Sequence, residues 1–415
     1  MIPTGDLPCH WGTPALRLAA LLLSALTVLA APAHAQLKPE YMALQHFSEE
    51  LDNAATAPDF VGLAVAVVKD GRVQLMRTYG VREAGGTEKV TPDTVFRLAS
   101  LSKGFAGTLA AMEEKDGKLD LQQKVRTLVP EFKLKRAGDA DQITFEDVLS
   151  HRTGLPPYAY DNLLEAGLPP SEILSKYAGV KQTCKPRECF TYQNTAFNMI
   201  ATAIEHASGK SYATELRDRI LAPLDMKTAS LGKAGLESTG NWARPHKRKG
   251  DGWISTPVTE PYYKVPAAGG LNASITDLSK WLIAQMGDRP DVIPASVLDE
   301  AHRKRISTPP ETARQRSLKT PVKDTAYGLG WRTYNYAGHE LITHSGSVEG
   351  YISQIAWLPE DHAGIVVLSN TRGARAAKIV PTWLDYELGL PKTDWFRMNE
   401  ILEAQNQAAK TVSGD

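Results

Sequence analysis

Cysteine is scarce in this chain: Cys9, Cys184 and Cys189 are the only three among 415 residues. So few thiols exclude a disulfide-built scaffold, and the fold must rest on a hydrophobic core. Net charge is missing too, since 47 Lys and Arg balance 47 Asp and Glu. With no basic excess and no polybasic run beside an apolar anchor, nothing here attracts nucleic acid. The chain has no internal repeat and no low-complexity block. Several catalytic signatures are also absent. No G-x-S-x-G occurs, which removes the α/β-hydrolase elbow. Gly209-Lys210-Ser211 looks like the end of a phosphate loop, but Ile204 stands where its leading Gly belongs. The ten His residues include no H-E-x-x-H. No metal site is expected, and nothing calls for a cofactor.

What is present begins at the N-terminus. Ala15 to Ala31 is apolar except for Arg17, Ser24 and Thr27, and Ala33-His34-Ala35 follows as a small-x-small pattern. That arrangement reads as a cleaved signal peptide over residues 1–35, so a periplasmic or secreted protein without a stable membrane anchor is expected. The apolar stretch is short for an uncleaved span. Cys9 precedes it and is wrongly placed for a lipid-modified terminus. Cys184 and Cys189 then remain, as a candidate disulfide in an oxidising compartment or as two free thiols.

Along the mature chain, Val61–Val68 reads as a buried strand. Asp70-Gly71 is a turn signal, and Val73–Val81 reads as the returning strand of a hairpin. Tyr41–Ala54 has helical spacing. From Phe96 to about Thr320 the pattern is mostly helical. Helices are predicted at Ser100–Glu114, Thr144–Ser150, Pro170–Tyr177, Thr195–Ala207, Tyr212–Leu221, Thr276–Met286 and Pro294–Arg303. Thr276 is the expected cap of its helix. Thr308–Asp324 reads as a loop. Strands return at Tyr327–Tyr336, Glu340–His344, Tyr351–Leu358 and Gly364–Ser369, then a helix at 374–388.

The fold class expected is α+β: one antiparallel sheet built from both chain ends, helices packed on it, and a mostly helical lobe alongside. The expected organisation is a single catalytic domain over 36–390, with a sheet lobe at 36–95 and 325–390 and a helical lobe at 96–324. A polar tail covers 391–415.

Three segments carry chemistry. Ser100-Leu101-Ser102-Lys103 opens a helix, and a spacing of three puts Lys103 beside Ser100 on one face. A serine hydroxyl needs a neighbour to take its proton. Leu101, Phe105, Thr108, Leu109 and Met112 form one broad stripe of that helix. Ser100, Lys103, Gly107, Ala110 and Ala111 form a narrow, small face that other elements can approach closely. Desolvation there would lower the Lys103 pKa and free it to act as a base. Taken alone, the motif also fits a surface lysine after a capping serine.

Tyr192-Gln193-Asn194 is the second segment. A phenol whose pKa is held down by cations can accept the serine proton, and Asn194 can bond a substrate amide. The plainer reading is a packed ring and a helix cap. The third is His344-Ser345-Gly346-Ser347 at a strand end. Gly346 permits close backbone approach, and the Ser347 amide could face an oxyanion. A lone His there is also a common structural hydrogen-bonding group.

In order and separation the three resemble the serine hydrolases that group class C β-lactamases, D-alanyl-D-alanine peptidases and β-lactamase-like carboxylesterases. Similar stretches are Thr94–Ser100, Val148–Leu155, Ala268–Leu271 and Tyr327–Trp331, and the likeness spans roughly Gln36 to Leu390. The resemblance implies an acyl-enzyme on Ser100, with Lys103 and Tyr192 handling its proton. It implies substrate binding by Asn194, His344, Ser345 and Gly346, and an oxyanion hole from the Ser100 and Ser347 amides. His344 and Ser345 replace the Lys and Thr of typical class C enzymes, which removes a steady positive charge. The partner expected is a small-molecule or peptide substrate: a D-amino-acid peptide, a β-lactam or a short-chain ester. A binding protein of the same fold with little turnover is the alternative. Tyr158, Tyr160, Tyr262, Tyr263 and Trp331 are candidates for a pocket lining or for core filling.

Overall fold

A computed structural model describes residues 39–400 and 403. Residues 1–38, including the 1–35 segment read above as a signal peptide, and most of the tail beyond 400 lie outside the described residues. Eight strands form one antiparallel sheet: β1 (Gly62–Lys69), β2 (Arg72–Gly80), β3 (Ile306–Ser307), β4 (Val322–Tyr327), β5 (Arg332–Tyr336), β6 (His339–Val348), β7 (Tyr351–Leu358) and β8 (Ala363–Ser369). Their order is β2-β1-β8-β7-β6-β5-β4-β3. The chain's first hairpin therefore docks beside its last strand, with Leu63 opposite Ser369 and Lys69 opposite Ala363.

The apolar run in β1 follows from burial on both faces. Leu63, Val65 and Val67 meet Phe47 and Leu51 of α1 (Pro39–Ala54) and Trp383 of α5 (Ile379–Glu387). Ala64, Ala66 and Val68 belong to the other core, with α2 (Ser102–Lys115), α3 (Met199–Ser208) and α4 (Ile275–Gln285). That core continues without a break into the helical lobe.

Helix α2 is buried on every side from Ser102 to Glu113. Its small face is where the segment between β4 and β5 crosses. A Cβ added to Gly107 would lie 1.9 Å from the Leu329 carbonyl oxygen. Only glycine permits that approach, and it fixes α2, and with it Lys103, against the sheet.

The structure corrects several boundaries. Thr308–Asp324 is not a loop: Pro309–Ser317 is a helix and β4 begins at Val322, so the C-terminal part of the sheet starts at Ile306. Two prolines at the helix start supply the turn geometry, and no residue of that helix is buried, which is why it lacks an apolar stripe. Tyr327–Tyr336 is two strands, interrupted by Gly328–Trp331. The predicted Thr195 helix starts at Met199. Ser274, not Thr276, caps α4, its side chain accepting from the Asp277 N–H. After Pro391, Trp395 and Phe396 are buried, and Trp395 Nε1 donates to Asp385 at 2.8 Å.

Candidate active site

Ser100 sits in a 3₁₀ turn, Ala99–Leu101, that runs directly into α2. Hydrogen bonds on both sides hold this turn. Leu98 donates to Leu271 O at 2.9 Å, and its own carbonyl accepts from Ser353 Oγ at 2.6 Å. Ala99 has φ of +48°, an uncommon conformation for a residue with a side chain. Strand β6 lies against the turn. A Cβ on Gly346 would fall 2.0 Å from Leu98 O and 2.9 Å from Ser100 N, so a larger residue there would push the strand off the turn. Pairing of β6 with β5 ends at Thr343, whereas pairing with β7 continues to Val348. The stretch beyond Thr343 therefore has a strand partner on one side only.

Lys103 is fully buried. Its Nζ lies 2.7 Å from Asn194 Oδ1, 2.9 Å from Ala268 O and 3.4 Å from Ser100 Oγ. Burial drives its pKa well below the usual lysine range; Asp161 opposes that shift and Arg332 adds to it. An unprotonated amine has two hydrogens and one lone pair. The Ala268 carbonyl and the Asn194 oxygen take the hydrogens, and the longest contact, to Ser100 Oγ, is left facing the lone pair. The Asn194 orientation is set by Asp161, because its Nδ2 donates to Asp161 Oδ2 at 2.6 Å.

Tyr192 lines the cavity with Ser100, and its ring centroid lies 4.7 Å from Lys103 Nζ. Here the condition in the sequence reading is not met. Burial raises the Tyr192 pKa, and the nearby Ser100 hydroxyl and Arg332 only partly offset it. The cations do not hold it down, so Tyr192 remains a protonated phenol.

His344 is buried, with both ring nitrogens engaged. Nδ1 contacts Ser345 O at 2.9 Å and must be the donor, because a carbonyl only accepts. Nε2 then accepts from the Tyr327 hydroxyl at 2.9 Å. Burial, then Arg332 and Lys103, lower its pKa well below the usual value, so the ring is neutral. Strand alternation turns Ser345 and Ser347, not His344, toward the cavity.

The cavity has a volume of about 460 Å³; Ser100, Tyr192, Asn194, Ser345 and Ser347 are among the residues that line it. Tyr158 and Tyr262 line it as well. Tyr160 stacks on Tyr177, Tyr263 lies under Arg97, and Trp331 packs with Trp281 and Trp357.

Three residues with no assigned role in the sequence reading now matter. Arg332, at the start of β5, lines the cavity among the rings of Tyr327, Tyr192 and Phe190, 5.4, 5.6 and 5.9 Å away. Burial works against its charge, but Tyr334, Tyr327 and Glu311 more than offset this and hold its pKa above the ordinary value. Asp161 shares the wall beside Asn194. His151, with φ of +57°, brackets Tyr192: its carbonyl accepts from the Thr191 N–H at 2.9 Å and its Nδ1 from the Gln193 N–H at 3.1 Å. Cys184 and Cys189 form a disulfide with Cα atoms 6.2 Å apart, and the loop they close bonds to the same turn through Arg187 N and Arg152 O.

The mixed fold of helices and one antiparallel sheet is that of a family whose members are generally serine hydrolases. A family model described as beta-lactamase matches residues 45–386, and the chain belongs to that family. It is 28% identical over 388 residues to unguisins hydrolase ungD' of Aspergillus campestris, covering 88% of this chain and 70% of that protein. It is 27% identical over 325 residues to protein flp of Staphylococcus aureus, covering 77% of this chain and 61% of that one. The octameric penicillin-binding protein homologue from Pyrococcus abyssi superposes with a TM-score of 0.73 at 25% identity, over 84% of this chain and 78% of the other.

Proposed function

We propose that this chain is an exported serine hydrolase. Ser100 attacks a small amide, Lys103 takes its proton, and water releases the acyl group. The observation that carries this is the Lys103 geometry: its buried amine lies 2.7 Å from Asn194 Oδ1, 2.9 Å from Ala268 O and 3.4 Å from Ser100 Oγ, so once unprotonated it can give two hydrogens to the first two and its lone pair to Ser100. Two groups with pKa values pushed in opposite directions divide the acid–base work. Lys103 is the base. Tyr192, still protonated, passes its proton to the leaving group and regains one from the Lys103 ammonium, which returns Lys103 to the free base. The Ser100 and Ser347 amides serve as the oxyanion hole. The Cys184–Cys189 bond supports an oxidising compartment.

Arg332 favours a substrate with a carboxylate, supplying the steady charge that His344 lacks. A D-amino-acid peptide with a free C-terminus fits best. The names of the relatives, a hydrolase of unguisins and a penicillin-binding protein homologue, lend support. A parallel assay of nitrocefin, a D-Ala-D-Ala peptide and p-nitrophenyl acetate tests the reading. The peptide is expected to be turned over, and Arg332→Gln to raise its KM about ten- to a hundredfold while changing the acetate ester far less. Ester turnover alone, indifferent to Arg332→Gln, rules out the carboxylate preference. A stable adduct without product release supports the binding-protein alternative.

His151 acts through Tyr192 and is a positioning residue. His151→Leu removes the acceptor for Gln193 N–H and is expected to lower kcat about ten- to a hundredfold with KM little changed. His151→Asn keeps an acceptor and tolerates the left-handed backbone, so it is expected to recover most of the loss. An equal loss in both variants, or a change confined to KM, contradicts the assignment.

A further inference from the structure

The wall of the cavity next to Asn194 carries negative charge that nothing in the protein neutralises directly. Asp161 is 8% exposed, yet it forms part of this wall. Its Oδ2 accepts from Asn194 at 2.6 Å and, more distantly, from the Tyr262 hydroxyl at 3.4 Å. Its Oδ1 is shielded from water and has no hydrogen-bond partner. Glu165, four residues later on the same short helix, lines the same wall, with Oε1 accepting from Tyr262 at 2.8 Å. Among the described residues neither carboxylate takes part in an ion pair. The Lys103 amine, nearest in the hydrogen-bond network, is separated from Asp161 by the Asn194 amide.

An unpaired carboxylate so far removed from water is costly to a fold. Such a cost is commonly retained where a ligand completes the pair. The opposite charge is found elsewhere in the cavity, at Arg332 on β5. The cavity is therefore bipolar, with Asp161 and Glu165 beside the residue that would hold the scissile amide.

We propose that Asp161 and Glu165 form an ammonium subsite, so that the preferred substrate carries a free amino group on its acyl portion, next to the bond that is cut. This rests on the acyl-transfer reading above and narrows it to short zwitterionic peptides and amino-acid amides. The substrate ammonium would donate to Asp161 and Glu165. Asn194 would hold the neighbouring amide, and Arg332 would receive an anionic group on the leaving side. Asp161 would thus serve both the substrate and the Asn194 orientation.

The test compares D-alanine p-nitroanilide with propionic acid p-nitroanilide, which differs by loss of the amino group. For the full mature chain the aminated substrate is expected to have a kcat/KM at least about tenfold higher, the scale of one charge-assisted contact. That advantage should fade as pH rises through the substrate's own amine, near about 8. Glu165→Gln and Asp161→Asn should each shrink the ratio, even though Asp161→Asn slows both substrates through Asn194. The same contrast can be read without turnover, as protection of Ser100 from a fluorophosphonate by D-alaninamide against propionamide. Equal rates and equal protection for the two partners overturn the subsite. So does a ratio unchanged in both variants, which leaves Asp161 only its hold on Asn194. Failure of any fluorophosphonate to label Ser100 instead removes the acyl-transfer reading, and the subsite falls with it.

Discussion

In the Ser100→Ala protein, turnover of amides and esters is expected to fall at least about a thousandfold, and no fluorophosphonate adduct should form. That loss corresponds to about 4 kcal/mol of transition-state stabilisation. The expectation follows from the way the turn is built. Leu98, Ala99 and Ser102 are tied to Leu271, Ser353 and one another, so the backbone at position 100 stays where it is without the hydroxyl. Ser100 Oγ contributes to the cavity and not to the core, so the variant should melt like the parent. Loss of activity can then be read as loss of the nucleophile. Mass spectrometry of the labelled protein checks the site, and a thermal melt checks the fold. Retained turnover with an intact fold would sink the mechanism.

Lys103→Arg should cost about a hundred- to ten-thousandfold in the rate of acylation. Arginine keeps its proton at every accessible pH, so it cannot serve as a base. The accompanying pH profile is the sharper observation. A lysine whose pKa is lowered by burial holds its proton in acid and releases it as pH rises. The acylation rate of the parent should therefore climb through the Lys103 pKa, well below the ordinary lysine range, and then level off. Any alkaline fall belongs to Tyr192 and should lie above the usual tyrosine range, because burial raises that group. The acid limb should vanish in Lys103→Arg. A limb that survives the substitution assigns the titration to another group.

Much of the cavity was legible because its chemistry is carried by short, local patterns. Ser100 and Lys103 are one helical turn apart, Tyr192 and Asn194 lie two residues apart, and Ser345 to Ser347 lie on one strand. Helical spacing puts Ser100 and Lys103 together, and strand alternation puts Ser345 and Ser347 on one face. Asp161 and Arg332 have no such local mark. Asp161 faces the cavity because a short helix is folded under Tyr262, and Arg332 because β5 starts directly after the turn that crosses α2. Their meaning comes from contacts across 33 residues to Asn194 in one case and from a cage of three rings in the other. The position of His344 was readable but its hydrogen bonding was not, since Tyr327 reaches it from another strand. Whether cations hold the Tyr192 pKa down was left conditional in the sequence, because the depth of burial that raises it is set by the fold. In the fold, the double-sided burial of β1 was plain from its unbroken apolar run. The helix at Pro309–Ser317 was hidden because a wholly solvent-facing helix has no apolar period to detect.

Helix α2 has a further consequence, because it shows solvent no face from Ser102 to Glu113. Its amide protons can reach water only when the interior shared by both lobes comes apart. Partial breathing of the rim will leave the reactive groups in place. Heat should therefore silence the protein and melt it at the same temperature, with no preceding stage in which a folded molecule has already lost its chemistry.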